Sequence, residues 1–209
     1  MWTLDGQLHW NPLKYSDPTE LKDKLILAET FTEPHYKRVA ERYLQTALQV
    51  HRAVVPDRPV TLAAVVGLLD SAMLKTMLTH APQPLVSRVG PYLAGLTRDQ
   101  ISGILGLQSR LALLSESAIG EYLQPPNIPE QEIDLRHALT DGDEVVLFSL
   151  NSSRYSQLSG QVAAMIVQDL LHLPVSTVYH LARQGKIPAS RLGRTWRFLR
   201  PELEQLLHN

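Results

Sequence analysis

Hydrophobic residues recur at helical spacing along most of this chain, and the residues between the periodic stretches predict where each helix starts and stops. Asp17-Pro18-Thr19-Glu20 has an acidic cap with proline at the first helical position, which predicts a helix to about Thr30. Thr32-Glu33-Pro34 opens a longer one, 34–54. Its apolar side carries Tyr36, Val39, Ala40, Tyr43, Leu44, Ala47, Leu48 and Val50, with Lys37, Arg38, Glu41, Arg42 and Gln45 elsewhere. Thr61 is expected to cap a short helix to Leu69, and Ser71 another to about His80. Pro82 and Pro84 precede a helical segment around 85–93, and Thr97-Arg98-Asp99-Gln100 opens a long helix expected to continue to about Leu123. Gly103 and Gly106 inside it cost about 1 kcal/mol each relative to alanine, so close helix packing is the expected reason for them.

Shorter patterns flank these helices. Asp5-Gly6 lies between Trp2-Thr3-Leu4 and Leu8-His9-Trp10, which predicts a short hairpin or edge strand ending at Asn11-Pro12. The proline-rich stretch 124–131 reads as a loop, 133–139 as one or two helical turns, and the apolar run 144–150 as a buried strand. A helix over 157–171 then runs straight into the segment that carries the clearest chemistry.

That segment is DLLHLPVSTVYHLARQGKIPASRLGRTWRF, 169–198, and it reads as a helix-turn-helix followed by a basic β-hairpin. Leu170, Leu171 and Leu173 end one apolar stripe and Pro174 interrupts it. Ser176 or Thr177 caps a second helix with Val178, Leu181 and Ala182 on its apolar side, exposing Thr177, Tyr179, His180 and Arg183. Gly185 stops that helix, Lys186 and Ile187-Pro188 turn the chain, and 190–198 alternates around Gly193 as a tight hairpin with Arg191, Arg194 and Arg197. The chemistry suits a duplex, with the helix in a groove and the hairpin on phosphates. Ser176, Thr177, Tyr179, His180, Arg183, Lys186, Arg191, Arg194 and Arg197 are the candidate DNA-binding residues. Arg183 is the candidate base-edge contact, since a guanidinium pairs bidentately with guanine, and the hairpin arginines are assigned to phosphates. Trp196 is expected to pin the hairpin to the helices.

The run STVYHLARQGKIPASRLGRTWRF, followed by PELEQLL, resembles the excisionase family of small helix-turn-helix DNA-binding domains, related to the MerR-like winged helices. The likeness covers about forty residues. It implies that S-T-V-Y opens the recognition helix, G-K-I-P leaves it and G-R-T-W-R-F forms the wing. Gln168 departs from the family, whose members usually place a small alanine two residues before the paired leucines. Excisionase-like domains bend DNA or regulate transcription, often as multimers, and the resemblance implies a mobile-element setting.

Charge agrees with this placement. The 209-residue chain has a net charge of -1, but 172–209 hold six Lys/Arg against Glu202 and Glu204, a balance of +4 that leaves -5 upstream. Hydrophobic residues make up 44% and charged residues 20%, as in ordinary globular proteins. With no cysteine, neither a disulfide framework nor a thiolate zinc site is available. No signal peptide or long apolar run is visible, so no membrane segment is expected and the cytoplasm is the expected compartment.

The stretches LDGQLHWNPL, DPTELKDKL, EPHYKRVAERYLQ and DLRHALTDGDEVVLFSLNSSRYSQLSGQVAAMIVQDL resemble, across roughly 1–170, the conjugative coupling-protein ATPases, ring-forming DNA motors related to FtsK and HerA. The resemblance implies a helical insertion from a RecA-like nucleotide-binding core. Yet the catalytic signatures are missing. The only Gly-Lys pair, Gly185-Lys186, is followed by Ile187 and preceded by His180 where a phosphate-binding loop needs its first glycine. The apolar run 145–150 leads into Asn151 and Ser152 with no Walker-B carboxylate. The eight histidines show no metal-ligand spacing, Ser149, Ser152 and Ser153 lack a nucleophile elbow, and Asp141 and Asp143 flank a turn glycine.

The sequence therefore predicts a mostly α protein: a helical region with a short β component over 1–160, and a winged helix-turn-helix with a β-hairpin wing over 161–209. The expected function is non-catalytic binding of double-stranded DNA, with no catalytic residue, cofactor or metal. Expected further partners are a second copy of the chain in a multimer or a coupling-protein-like ATPase. The alternative is an assembly protein, or a remnant of such a motor.

Overall fold

The computed structural model describes residues 2, 6–29, 31, 33–135, 137, 146, 148, 156–171, 189–192 and 195–198. Among them are seven α-helices: α1 (Pro18–Leu27), α2 (Pro34–Val54), α3 (Leu62–Leu68), α4 (Ser71–Leu78), α5 (Gln83–Ala94), α6 (Arg98–Ser115) and α7 (Ser156–Leu171). Short 3-10 turns occupy Gly120–Leu123 and Pro129–Gln131, and two strands, β1 (Ala189–Leu192) and β2 (Thr195–Phe198), pair with each other. The protein is mostly helical, as the spacing of its apolar residues predicts.

The caps explain where the helices begin. Asp17 accepts from the Thr19 and Glu20 amides while the Glu20 side chain returns to the Asp17 amide, a reciprocal capping box in front of Pro18. Thr97 and Gln100 do the same for α6, and the Thr61 hydroxyl accepts from the Ala64 amide at the start of α3. For α4 the sequence points to Ser71, but the cap is Asp70, whose carboxylate accepts from the Ala72 amide at 2.8 Å. A carboxylate satisfies the same orphan amide and adds negative charge at the positive end of the helix.

The expected long helix from 97 to Leu123 stops at Ser115. The Ser117 hydroxyl donates to the Leu114 carbonyl at 2.7 Å and accepts from the Ile119 and Gly120 amides, taking over groups that a continuing helix would pair itself. The chain then folds back so tightly that a Cβ on Gly120 would lie 1.9 Å from the Ser115 carbonyl oxygen. Only glycine fits there. Gly103 also packs closely, since a Cβ would come within 2.8 Å of the Tyr36 ring on α2. Gly106 has no such neighbour; its nearest contact would be an Arg110 side-chain nitrogen at 3.6 Å.

Helix α2 is the axis of the fold, touching α1, α3, α4 and α6. Its buried side carries Val39, Ala40, Tyr43, Leu44, Ala47, Leu48 and Val50, as the periodicity predicts, and adds His51. These residues join one hydrophobic cluster that runs from Trp2 through Leu107 and Leu111 of α6 to Val162, Met165 and Ile166 of α7. Full burial of each large side chain contributes about 1.5–3 kcal/mol, so this cluster dominates the stability of the helical body.

Of the hairpin or edge strand expected around Asp5-Gly6, residues 3–5 lie outside the described residues, and the bridges of the described ones run to distant segments. Trp2 forms a parallel bridge with Phe148, and His9 forms one with Glu132. The His9 amide donates to the Gln131 carbonyl at 2.8 Å, the Ile133 amide donates to the His9 carbonyl at 2.7 Å, and the Trp10 amide donates to the Tyr122 carbonyl. Trp2 and Trp10 are both fully enclosed and both lie against the Phe148 ring. Burial of the two indoles contributes to holding this segment against the body. Lys14 completes the clasp with ion pairs to Glu132 and Asp134 at 2.9 and 3.2 Å.

Of the stretch expected to form a buried strand at 144–150, only Val146 and Phe148 are among the described residues, and Phe148 makes the bridge to Trp2. The turns expected over 133–139 are described only in part, with Leu135 and His137 helical. The 3-10 turn Pro129–Gln131 lies within the expected loop.

Candidate nucleic-acid interface

Helix α7 leads into the candidate interface, and two polar anchors fix it to the helical body. The Gln161 side chain donates to Glu29 at 2.9 Å, and Arg110 of α6 donates to the other oxygen of the same carboxylate, also at 2.9 Å. Burial pushes the Glu29 carboxyl above its usual pKa range, and the Arg110 guanidinium works against that shift. Near the other end of α7, Asp169 is ion-paired with Lys24 of α1. Lys24 is buried and also donates to the Pro12 carbonyl at 2.7 Å.

Gln168, the residue that departs from the expected pattern, is 8% exposed, and its side-chain carbonyl has no hydrogen-bond partner among the described residues. An unmet buried acceptor costs about 1–3 kcal/mol. The family's small alanine would avoid this penalty. The departure therefore falls where α7 is buried against the body. The sequence shows Gln168 as unusual but not as buried, because its neighbours come from elements that are far away in the chain.

The candidate DNA-binding residues Ser176, Thr177, Tyr179, His180, Arg183, Lys186 and Arg194 lie outside the described residues. Arg191 and Arg197 lie on the paired strands. These run antiparallel with Ala189 opposite Phe198, Ser190 opposite Arg197, Arg191 opposite Trp196 and Leu192 opposite Thr195. Opposed residues share a face of a two-stranded ladder and successive residues alternate between faces. One face therefore holds positions 189, 191, 196 and 198, and the other holds 190, 192, 195 and 197. Arg191 shares its face with Trp196, whereas Arg197 shares its face with Ser190 and Thr195. The sequence treats the hairpin arginines as one set, and the register separates these two.

No group of three or more His, Asp or Glu able to hold a metal occurs among the described residues. None of the described helices is long and apolar enough to cross a membrane. No curated protein and no solved structure matches this chain. The comparisons give no support to the expected likeness of residues 1–170 to coupling-protein ATPases. Residues 167–209 match the family model of the helix-turn-helix domain, and the match begins inside the last turns of α7. The chain thus carries a C-terminal helix-turn-helix domain, which suggests DNA binding.

Proposed function

We propose that this chain is a non-catalytic, double-stranded DNA-binding protein whose C-terminal helix-turn-helix enters a groove while the β1–β2 hairpin serves as a wing on the phosphate backbone. The match of residues 167–209 to a helix-turn-helix domain carries this reading. The +4 balance of residues 172–209 and the antiparallel strands in the expected wing position support it. In this reading Arg183 contacts a base edge, Ser176, Thr177, Tyr179 and His180 line the recognition helix, and Lys186 and Arg194 meet phosphates. The ladder register favours Arg197 over Arg191 for a phosphate contact, because Trp196 on the face of Arg191 is assigned to packing. An excisionase-like, MerR-related role in a mobile element, with multimers on DNA, follows from the resemblance.

The helical body positions this reader. Its continuous hydrophobic cluster, from Trp2 to Ile166, favours a folded scaffold over an unpacked remnant of a motor protein. Because α7 crosses the start of the matched stretch, scaffold and reader are proposed to share one helix. The test is a fluorescence-anisotropy titration of duplex DNA at moderate salt with the Arg183→Ala/Arg194→Ala variant. Loss of binding is expected, and unchanged affinity overturns the assignment.

A further inference from the structure

Two side-chain contacts join helices α2 and α5. The Arg42 guanidinium lies 4.3 Å from the centre of the Tyr92 ring, and Arg88 donates to the Gln49 side-chain oxygen at 2.8 Å. The two contacts pair 42 with 92 and 49 with 88, so the helices run in opposite directions. Together they hold five basic residues, Lys37, Arg38, Arg42, Arg52 and Arg88, against one acidic residue, Glu41, a balance of +4. This segregation is notable because residues 1–171 as a whole carry -5.

Helical spacing places the arginines together. Positions 38, 42, 45, 49 and 52 of α2 fall within a narrow stripe, about 21 Å long at 1.5 Å per residue, opposite the buried side of the helix. Arg38, Arg42 and Arg88 are exposed, and none of the three forms an ion pair among the described residues. Lys37 is instead 3.8 Å from Glu41, off the stripe. At the far end Arg52 donates to the Ser16 carbonyl at 2.8 Å, so it is partly committed. The uncommitted set is Arg38, Arg42 and Arg88, with Gln45 and Gln49 between them. Arg42, held over a ring, and Arg88, held by a hydrogen bond to a side-chain carbonyl, are pre-positioned, which reduces the entropy lost when they meet an anion.

We propose that this α2–α5 face is a second, sequence-independent surface for the phosphate backbone of duplex DNA, distinct from the helix-turn-helix. A polyanion fits better than a single small anion. The charges are spread along a ridge comparable in length to a dozen phosphate charges on a duplex, about one per 1.7 Å. The proposal rests on the DNA-binding reading of the C-terminal domain and extends it to the scaffold.

The test is anisotropy of the full chain with duplexes of about 40 base pairs over a salt series, using two unrelated sequences. The Arg38→Gln/Arg42→Gln/Arg88→Gln variant is expected to bind each sequence about tenfold more weakly. Its salt slope should fall by about 2 to 3, at roughly 0.9 per lost phosphate contact. Gln45→Glu/Gln49→Glu keeps every arginine and neutralises the ridge in place, so it should give a similar loss if the triple variant fails to fold. Unchanged affinity and slope in both variants, with wild type binding normally, overturns the second surface and leaves the reader intact. A loss confined to one sequence assigns these arginines to base readout and overturns the backbone role. A wild type that binds no duplex overturns both readings.

Discussion

Lys24 of α1 is ion-paired with Asp169 of α7, two residues beyond the start of the stretch that matches a helix-turn-helix domain. The lysine side chain is 6% exposed and the aspartate 21%, so solvent screens the pair only partly. The bond joins the beginning of the scaffold to the beginning of the reader.

Removing the lysine should therefore loosen that junction. Lys24→Met is expected to destabilise the protein by about 1–3 kcal/mol in urea unfolding, because the buried ammonium's bonds to Asp169 and to the Pro12 carbonyl are lost and that carbonyl is left unmet. A double-mutant cycle with Asp169→Asn should return a coupling energy of about 1–3 kcal/mol. Additive single effects would mean that the two residues act independently.

The two glycines of α6 should respond in opposite ways to alanine. Gly106→Ala is expected to stabilise by about 0.5–1 kcal/mol, since helix propensity improves and only a flexible Arg110 side chain is nearby. Gly103→Ala gains the same propensity but drives a methyl group to 2.8 Å from the Tyr36 ring, so its net effect should be neutral to destabilising. Paired thermal melts decide the matter, and equal shifts would show that Tyr36 moves aside at no cost.

His51 makes stability depend on pH. Burial lowers its pKa, with Arg52 adding to the effect, and its Nδ1 has no hydrogen-bond partner among the described residues. The unfolded chain therefore binds a proton at His51 more readily than the folded one. Its contribution is fully present above the ordinary histidine value of 6.5 and is lost as pH falls below it toward the lower folded value. His51→Leu should flatten the stability profile between about pH 6.5 and 5, measured by urea midpoints. A profile as steep as that of wild type would assign the acid sensitivity to other groups.

The hairpin register separates two arginines. Arg197→Ala should weaken duplex binding and reduce the salt slope by about 0.9, whereas Arg191→Ala should leave the slope nearly unchanged. The reverse result would place the 189–191–196–198 face against the DNA. Equal losses would require both faces to reach phosphates.

Much of this architecture could be read from the chain alone. The bounds of α2 from Pro34 to Val54, its buried side and the caps at Asp17, Thr61 and Thr97 follow from local rules, because periodicity and capping involve residues within one or two turns. The helix-turn-helix was legible for the same reason, since turn glycines, caps and alternating arginines lie within about forty consecutive residues. The β1–β2 register adds one thing that composition does not contain, the assignment of Arg191 and Arg197 to different faces.

Tertiary structure decided what depended on distant neighbours. Trp2 bridges Phe148 and His9 bridges Glu132, contacts between segments more than a hundred residues apart that enclose aromatic surface. The helix expected to reach Leu123 ends at Ser115 where the Ser117 hydroxyl captures backbone groups and the chain doubles back over Gly120. Gly103 needs its bare Cα only because Tyr36, 67 residues earlier in the chain, lies against it. The sequence by itself determined most of the helices and the helix-turn-helix stretch at its C-terminal end. Only the fold placed Lys24 beside Asp169 and lined up the arginines of α2 and α5, because packing between helices, and not spacing within one, sets those distances.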